Sequence, residues 1–166
     1  MESTLTPILF YVFGALALAA ALVVVGQRNP LYSAFALIVT LCSLSAIYGL
    51  LGSPFIAVLQ VIVYAGAIMV LFLFVLMLLN VKREEGQGAS TAVKGLALVL
   101  AVLLALEVGG VLLGVHFAPA ARGYDASTQK MARLLFSLPY VYVFEATSIL
   151  ILAALVGAVA LAKKEL

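Results

Sequence analysis

Long uncharged runs of hydrophobic residues, separated by short polar segments, are the main pattern of this sequence. No charged residue occurs from Asn29 to Val81, and Gly52-Ser53-Pro54, a turn signal, divides that stretch in two. A helix of about 20 apolar residues crosses a bilayer core of roughly 30 Å. The runs therefore predict five transmembrane helices, at residues 8–25, 33–51, 55–79, 93–117 and 140–162.

The continuity of these runs predicts the fold class. Strands of a membrane barrel alternate apolar and polar residues, and these runs do not. Hydrophobic residues make up 66% of the 166 residues and charged residues 10%, whereas soluble domains contain roughly a quarter of charged residues. We therefore predict an all-α polytopic protein in which residues 1–166 form a single membrane domain. Because Glu2 and no basic residue precedes the first run, we interpret that run as a retained span.

The basic residues between the runs predict how the spans are oriented. Five spans place the two termini on opposite sides of the membrane. One side then collects Arg28, Lys82, Arg83, Lys94, Lys163 and Lys164, and the other collects Arg122, Lys130 and Arg133. Cytoplasmic segments are enriched in Lys and Arg. We therefore expect the N-terminus outside, the C-terminus in the cytoplasm, and the uncharged Gly52-Ser53-Pro54 turn outside.

The segment between the fourth and fifth runs has a helical pattern of its own. Apolar residues recur at spacings of three and four, at Met131, Leu134, Leu135 and Leu138, while Lys130 and Arg133 fall off this stripe. The pattern predicts a short helix at residues 128–138 that lies in the membrane interface. It could dock a partner subunit or anchor the chain in lipid before the last span.

The sequence lacks the residue sets that redox or metal chemistry requires. Cys42 is the single cysteine and His116 the single histidine, so the chain cannot ligate an iron–sulfur cluster or a doubly ligated haem. The basic residues are scattered at helix ends, which does not favour nucleic acid as a partner. We predict no catalytic residue, no bound cofactor, no metal site and no direct small-molecule substrate for this chain.

Two acidic residues of the spans are candidates for proton handling. Glu107 lies within the fourth span and shares one helical face with Gly110 and Gly114, a G-x-x-x-G pair that lets another helix approach closely. A carboxyl group at this depth faces protein or water, and it could relay protons or serve as a neutral acid that joins helices. Glu145, near the outer end of the fifth span, could relay protons or simply complement the helix dipole.

A third group of polar and small residues lies deep in the third span. The hydroxyl of Tyr64 needs a partner there, and Gln60 lies one turn earlier on the same face. Gly66, in Ala65-Gly66-Ala67, removes side-chain bulk beside them. These residues could line internal water, or they could provide tight packing with one internal hydrogen bond.

Residues 57–80 closely resemble the third helix of the J-subunit family of bacterial NADH–quinone oxidoreductase, respiratory complex I, whose mitochondrial counterpart is subunit six. The resemblance covers most of the chain except residues 81–94 and much of the fourth span. Shorter stretches that match the family are Asn29-Pro30, Leu134-Leu135-Phe136, residues 144–148 and residues 155–159.

The resemblance implies a membrane-arm subunit of a proton-translocating enzyme in the bacterial inner membrane. Its partners would be the lipid bilayer and other membrane subunits, while partner subunits would bind flavin, iron–sulfur clusters and quinone. In the family the third helix carries a π-bulge around the positions of Tyr64 and Gly66. That helix is thought to switch between α and π forms near the path that links the quinone chamber to the proton channels.

Two positions depart from the family pattern, and two other functions stay open. Some members have glutamate where this chain has Gln60, and many have proline where it has Val143. An amide cannot exchange a proton at physiological pH, so Gln60 could order water but not relay protons. The alternatives are a small subunit of a related cation/proton antiporter complex and a passive membrane scaffold.

Overall fold

The computed structural model describes residues 2–79, 90–114 and 126–163, and every regular element in these ranges is helical. The elements are α1 (Glu2–Gly26), α2 (Pro30–Leu50), α3 (Pro54–Leu59), a π-helical segment (Gln60–Ile68), α4 (Met69–Leu78), α5 (Thr91–Gly114), α6 (Thr128–Leu135) and α7 (Leu138–Ala162). Because α3, the π segment and α4 are continuous, we call them together span three. Five helical stretches of 21 to 25 residues are long and apolar enough to cross a membrane. The all-α prediction with five spans is confirmed.

The junction between α1 and α2 is fixed by side-chain hydrogen bonds. The Asn29 side chain caps α2 by accepting a 3.0 Å hydrogen bond from the Leu31 backbone N–H. Pro30 follows as the first helical residue, where its missing N–H costs nothing. The Ser33 hydroxyl then donates a 2.6 Å bond back to the Val24 carbonyl of α1. These contacts tie the start of α2 to the end of α1.

A tight turn joins α2 to α3 at the predicted turn signal. The Ser53 N–H bonds the Tyr48 carbonyl at 3.0 Å, and the Gly52 N–H bonds the Gly49 carbonyl at 3.1 Å, which together form a Schellman motif. Gly52 has a φ of 76°, a left-handed conformation that glycine adopts without steric cost. Pro54 then begins α3, so the two helices form a hairpin.

Helix α2 is the centre of the packed part of the chain. It packs against α1 on one side and against all three parts of span three on the other. Residues less than 9% exposed in these helices are mostly small: Ala17, Ala20, Ala34, Ser43, Ser45, Ala65 and Met69. Small residues let helix backbones approach closely where lipid supplies no hydrophobic driving force.

Helices α5 and α7 stand apart from this core. Within the described ranges, α5 contacts no other helix and α7 contacts α6 alone. In the most apolar 18-residue window of each helix, 0% of the residues are buried. Their apolar surfaces are therefore open to lipid or to other chains.

Helix α6 ends earlier than its apolar stripe predicts. It stops at Leu135, and Leu138 is instead the first residue of α7. Continuing the helix would place Pro139 in its interior, where the ring clashes with the carbonyl four residues earlier. The Ser137 hydroxyl donates a 2.6 Å bond to the Leu134 carbonyl at this break.

The predicted span end at residues 115–117, with His116, and the polar loop at residues 82–89 lie outside the described residues.

Candidate functional site

The backbone of span three changes its hydrogen-bond spacing over nine residues, Gln60–Ile68. A π-helix is defined by hydrogen bonds from an N–H to the carbonyl five residues earlier. At the start of the segment the Gln60 N–H still faces the Ala57 and Ile56 carbonyls, whereas at its end the Met69 N–H faces the Gly66 carbonyl and, five residues earlier, the Tyr64 carbonyl. The residues at both ends, Leu59 and Met69, have ordinary right-handed helical angles, so the span continues as an α-helix on either side. The π-helical backbone that the family resemblance implied around Tyr64 and Gly66 is therefore present.

Gly66 lies where the π backbone leaves little room for a side chain. A Cβ built on Gly66 would lie 3.1 Å from the carbonyl oxygen of Val61, five residues earlier. This contact is tighter than ordinary van der Waals distance, so the Val61 carbonyl would have to move by a few tenths of an ångström. The glycine therefore relieves contact in the π form.

Tyr64 does not face the interior of this chain, and Gln60 is only partly covered by it. Tyr64 is 52% exposed, and its hydroxyl has no hydrogen-bond partner among the residues that the structure describes. Gln60 is half-buried at the start of the π segment, while Ala65 is buried. The contacts with α2 therefore lie on the Ala65 side, and a neighbouring subunit or water would have to complete the predicted polar stripe.

The predicted face of α5 also lacks a partner within the described part of the chain. Glu107, Gly110 and Gly114 are all exposed. A Cβ built on Gly110 or Gly114 would meet no atom within 4 Å. The structure does not bring Glu107 together with Tyr64 or Glu145, because α5 contacts none of the other described helices. Among the described helices of this chain, none packs on this G-x-x-x-G face.

Glu145 lies exposed in α7, close to the elbow that α7 forms with α6. The neighbouring Phe144 ring packs edge-on against Phe136, with ring centroids 4.9 Å apart. Val143, at the position where many family members have proline, lines an apolar groove of about 230 Å³. The other residues that line this groove are Met131, Leu134, Leu135 and Tyr140. The predicted apolar stripe of α6 thus faces α7.

Sequence reasoning missed the two buried serines of α2. The Ser45 hydroxyl donates a 2.7 Å hydrogen bond to the Ala57 carbonyl of α3, whereas the Ser43 hydroxyl bonds the Val39 carbonyl of its own helix. Small polar residues inside a membrane span mark contacts between helices. The Ser-x-Ser pattern in an otherwise uncharged run was the signal that could have found them.

The chain matches a family model described as NADH-ubiquinone/plastoquinone oxidoreductase chain 6 over residues 20–161. It is 37% identical over 161 residues to NADH-quinone oxidoreductase subunit J of Escherichia coli K12, covering 94% of this chain and 86% of that one. It is 35% identical over 162 residues to subunit J of Rhodobacter capsulatus, covering 92% and 79%. NADH-ubiquinone oxidoreductase chain 6 of Marchantia polymorpha is 32% identical over 170 residues, covering 93% and 85%. The chain therefore belongs to the family of chain 6 subunits of NADH–quinone oxidoreductase, whose bacterial members are its J subunits.

Proposed function

We propose that this chain couples quinone reduction to proton translocation in the membrane arm of NADH–quinone oxidoreductase, through a change in span three. The observation that carries the proposal is the π segment in the middle of a membrane span. π-helical turns are rare and gather at functional sites. A nine-residue π segment at Gln60–Ile68 is longer than a single-turn bulge, so it holds several hydrogen bonds that can be re-paired.

Re-pairing these bonds would turn one end of span three against the other. A π turn contains one more residue than an α turn, so removing it shifts the next part of the helix by one residue, about 100° and about 1.5 Å. The face of α4 buried against α2 carries Met69, Leu73 and Leu76. After conversion, Ile68, Phe72 and Val75 would take those places. The side chains that α4 presents to a neighbouring subunit would change accordingly.

The two forms must be close in energy for such a change to be useful. A ligand or a redox event can shift an equilibrium only by its own differential affinity, so the forms must lie within a few kcal/mol of each other. Gly66 helps to keep the π form close in free energy to the α form, because a Cβ there would press on the Val61 carbonyl in the π form. The exposed Tyr64 and the half-buried Gln60 are positioned to contact water or a partner subunit.

The remaining roles follow from family membership and from the open faces of the chain. We propose that other membrane subunits cover α5 and α7 in the bacterial inner membrane. Flavin, iron–sulfur clusters and quinone would be bound by partner subunits. Glu107 and Glu145 are proposed to contribute to the proton path, and Gln60 to order water along it.

Gly66→Val tests the switching role. The added side chain should disfavour the π form and hold span three in one state, and each bias of about 1.4 kcal/mol changes a two-state equilibrium tenfold. We expect NADH–quinone turnover and proton translocation to fall together, by roughly tenfold, in vesicles that contain equal amounts of assembled complex. Gly14→Val is the matched control, because Gly14 lies inside α1 and a Cβ there meets nothing within 4 Å.

Wild-type turnover and pumping in the Gly66→Val complex would contradict the switch and leave span three as a packing helix.

Tyr64→Phe removes one hydroxyl and keeps the ring. We expect this variant to assemble normally and to lower proton translocation less than Gly66→Val does.

A further inference from the structure

Ser45 joins α2 to the first part of span three. Its hydroxyl donates a 2.7 Å hydrogen bond to the Ala57 carbonyl, and the residue is 7% exposed. A Cβ built on Gly49, one turn further along α2, would lie 4.0 Å from the Ala57 Cβ. The two helices therefore meet closely at Ala57, shortly before the π segment begins.

Two neighbouring hydroxyls of α2, the buried Ser43 and the half-buried Thr40, bond within their own helix. Ser43 donates to the Val39 carbonyl at 2.8 Å, and Thr40 donates to the Ala36 carbonyl at 3.0 Å. Each of these bonds reaches the carbonyl four residues earlier. Ser45 forgoes that local bond and crosses to the neighbouring helix. Its hydrogen bond therefore holds α3 against α2, which a bond to its own helix would not do.

The other end of span three is held differently. The inward residues of α4 are the apolar Met69, Leu73 and Leu76, and among the described residues no side-chain hydrogen bond links α4 to α2. One apolar side chain can take the place of another when a helix rotates. A hydrogen bond between one particular hydroxyl and one particular carbonyl is lost when the helix rotates, because no equivalent partner takes its place. Span three is thus anchored before the π segment and free to turn after it.

We propose that Ser45 is a positioning residue that fixes α3, so that conversion of the π segment to α-helical spacing turns α4. This inference rests on the proposed π-to-α conversion. A one-residue change of register must rotate the two ends of the span relative to each other, and the anchored end stays in place. Without the anchor, the rotation is divided between both ends and α4 turns by less. Hydrogen bonds between membrane helices shift such equilibria by about threefold on average and up to about 18-fold.

The first test compares Ser45→Ala with Ser43→Ala in intact NADH–quinone oxidoreductase reconstituted into vesicles. Both variants remove one buried hydroxyl from α2, so Ser43→Ala controls for lost packing. We expect Ser45→Ala to lower the protons translocated per NADH oxidised by about threefold, with a smaller change in NADH–quinone turnover. Ser43→Ala should keep the wild-type ratio. An unchanged ratio in fully assembled Ser45→Ala complex would overturn the positioning role.

Ser45→Cys is the second variant, in case Ser45→Ala assembles poorly. A thiol occupies similar space and is a weak hydrogen-bond donor. We expect the same direction of change in the proton ratio, with a smaller size. A wild-type ratio in both variants would also overturn the role of the hydrogen bond.

The second test measures distances between spin labels in the intact complex. One label is attached to Cys42, which is exposed on α2. The other is attached through Val58→Cys on α3 or Phe72→Cys on α4, at positions 55% and 46% exposed. Between the oxidised complex and the complex reacting with NADH and decylubiquinone, the distance from Cys42 to position 58 should stay constant. The distance to position 72 should change by several ångströms.

Ser45→Ala should make both distances change. If the distance to position 58 stays constant without the Ser45 hydroxyl while the distance to position 72 still changes, Ser45 is not the anchor. If neither distance changes in the wild-type chain, the π-to-α conversion itself is contradicted. The two measurements therefore distinguish a failure of the Ser45 role from a failure of the proposed function.

Discussion

Single glycines act in this chain through three different physical causes. Gly52 provides the left-handed φ of 76° that ends α2, a conformation strained for other residues. Gly66 avoids a 3.1 Å contact between a Cβ and the Val61 carbonyl. Gly110 and Gly114 have open space around them among the described residues, and we propose that their smallness admits a helix of another subunit.

Residue-scale prediction from sequence succeeded where a residue acts through its own backbone. The turn at Gly52 was readable because glycine followed by proline punctuates a chain. The bond from Ser45 to Ala57 was not readable, because it depends on how α2 and α3 meet. The exposure of Tyr64 and Glu107 was likewise not readable, because it depends on which helices pack together.

Glu107→Gln tests whether this carboxyl group titrates. The change keeps the size and hydrogen-bonding capacity of the side chain and removes its proton exchange. We expect the complex to assemble normally and to translocate several-fold fewer protons per NADH oxidised, measured in vesicles. A general acid–base group typically contributes about 10²-fold or more to a rate, and a parallel proton path would make the observed loss smaller.

Glu107→Leu separates the two interpretations of Glu107. Leucine removes both the titration and the hydrogen bonding of the side chain. If Glu107 only joins helices through a hydrogen bond, Glu107→Leu should lower the yield of assembled complex and Glu107→Gln should not. Wild-type pumping in assembled Glu107→Gln complex would leave Glu107 as a residue that joins helices.

At the scale of elements, the spans were readable and the π segment was not. A mainly apolar run such as residues 55–79 predicts a span, but its two polar side chains, Gln60 and Tyr64, are too few to measure a helical period. Spacings of 3.6 and about 4.4 residues per turn therefore look alike in it. The π segment was expected from the family resemblance alone. The end of α6 was predicted three residues late because the apolar stripe continues to Leu138, whereas the helix stops at Leu135.

Gly110→Leu tests whether the open face of α5 meets a helix of another subunit. The added side chain should separate the two helices, and a loss of about 1.4 kcal/mol in association lowers the equilibrium amount of complex tenfold. We expect roughly tenfold less intact complex by native gel electrophoresis of solubilised membranes. Ala105→Leu, on the opposite face of α5, adds similar bulk and should leave the yield unchanged. Equal yields from both variants would mean that the Gly110 face meets lipid.

The whole molecule consists of a packed half and an open half. α1, α2 and span three pack together through α2, while α5 and α7 have few contacts or none among the described residues. The sequence predicted the number of spans but not this division, because all five runs are similarly apolar. Which helices pack together depends on buried small residues such as Ala34 and Ser45, and few of these differ in hydropathy from their exposed neighbours.

The orientation of the molecule in the membrane is tested by fusing reporters to it. The charge distribution predicts a cytoplasmic C-terminus and an external turn at Gly52-Ser53-Pro54. A fluorescent protein fused after Leu166 should therefore fluoresce, and alkaline phosphatase inserted in that turn should be active. The converse pattern, with phosphatase active at the C-terminus, would reverse the orientation of all five spans.

The open half has a consequence for how the protein is made. Chains fold from the N-terminus as they are synthesised. α1, α2 and span three can pack as soon as they enter the bilayer, since each has its partner within the same stretch of chain. Among the described residues α5 has no such partner and α7 has only the short helix α6, so we expect both to remain uncovered until other subunits bind. A newly made chain is thus half finished until assembly, and a cell that makes too much of it should degrade the surplus from this later half.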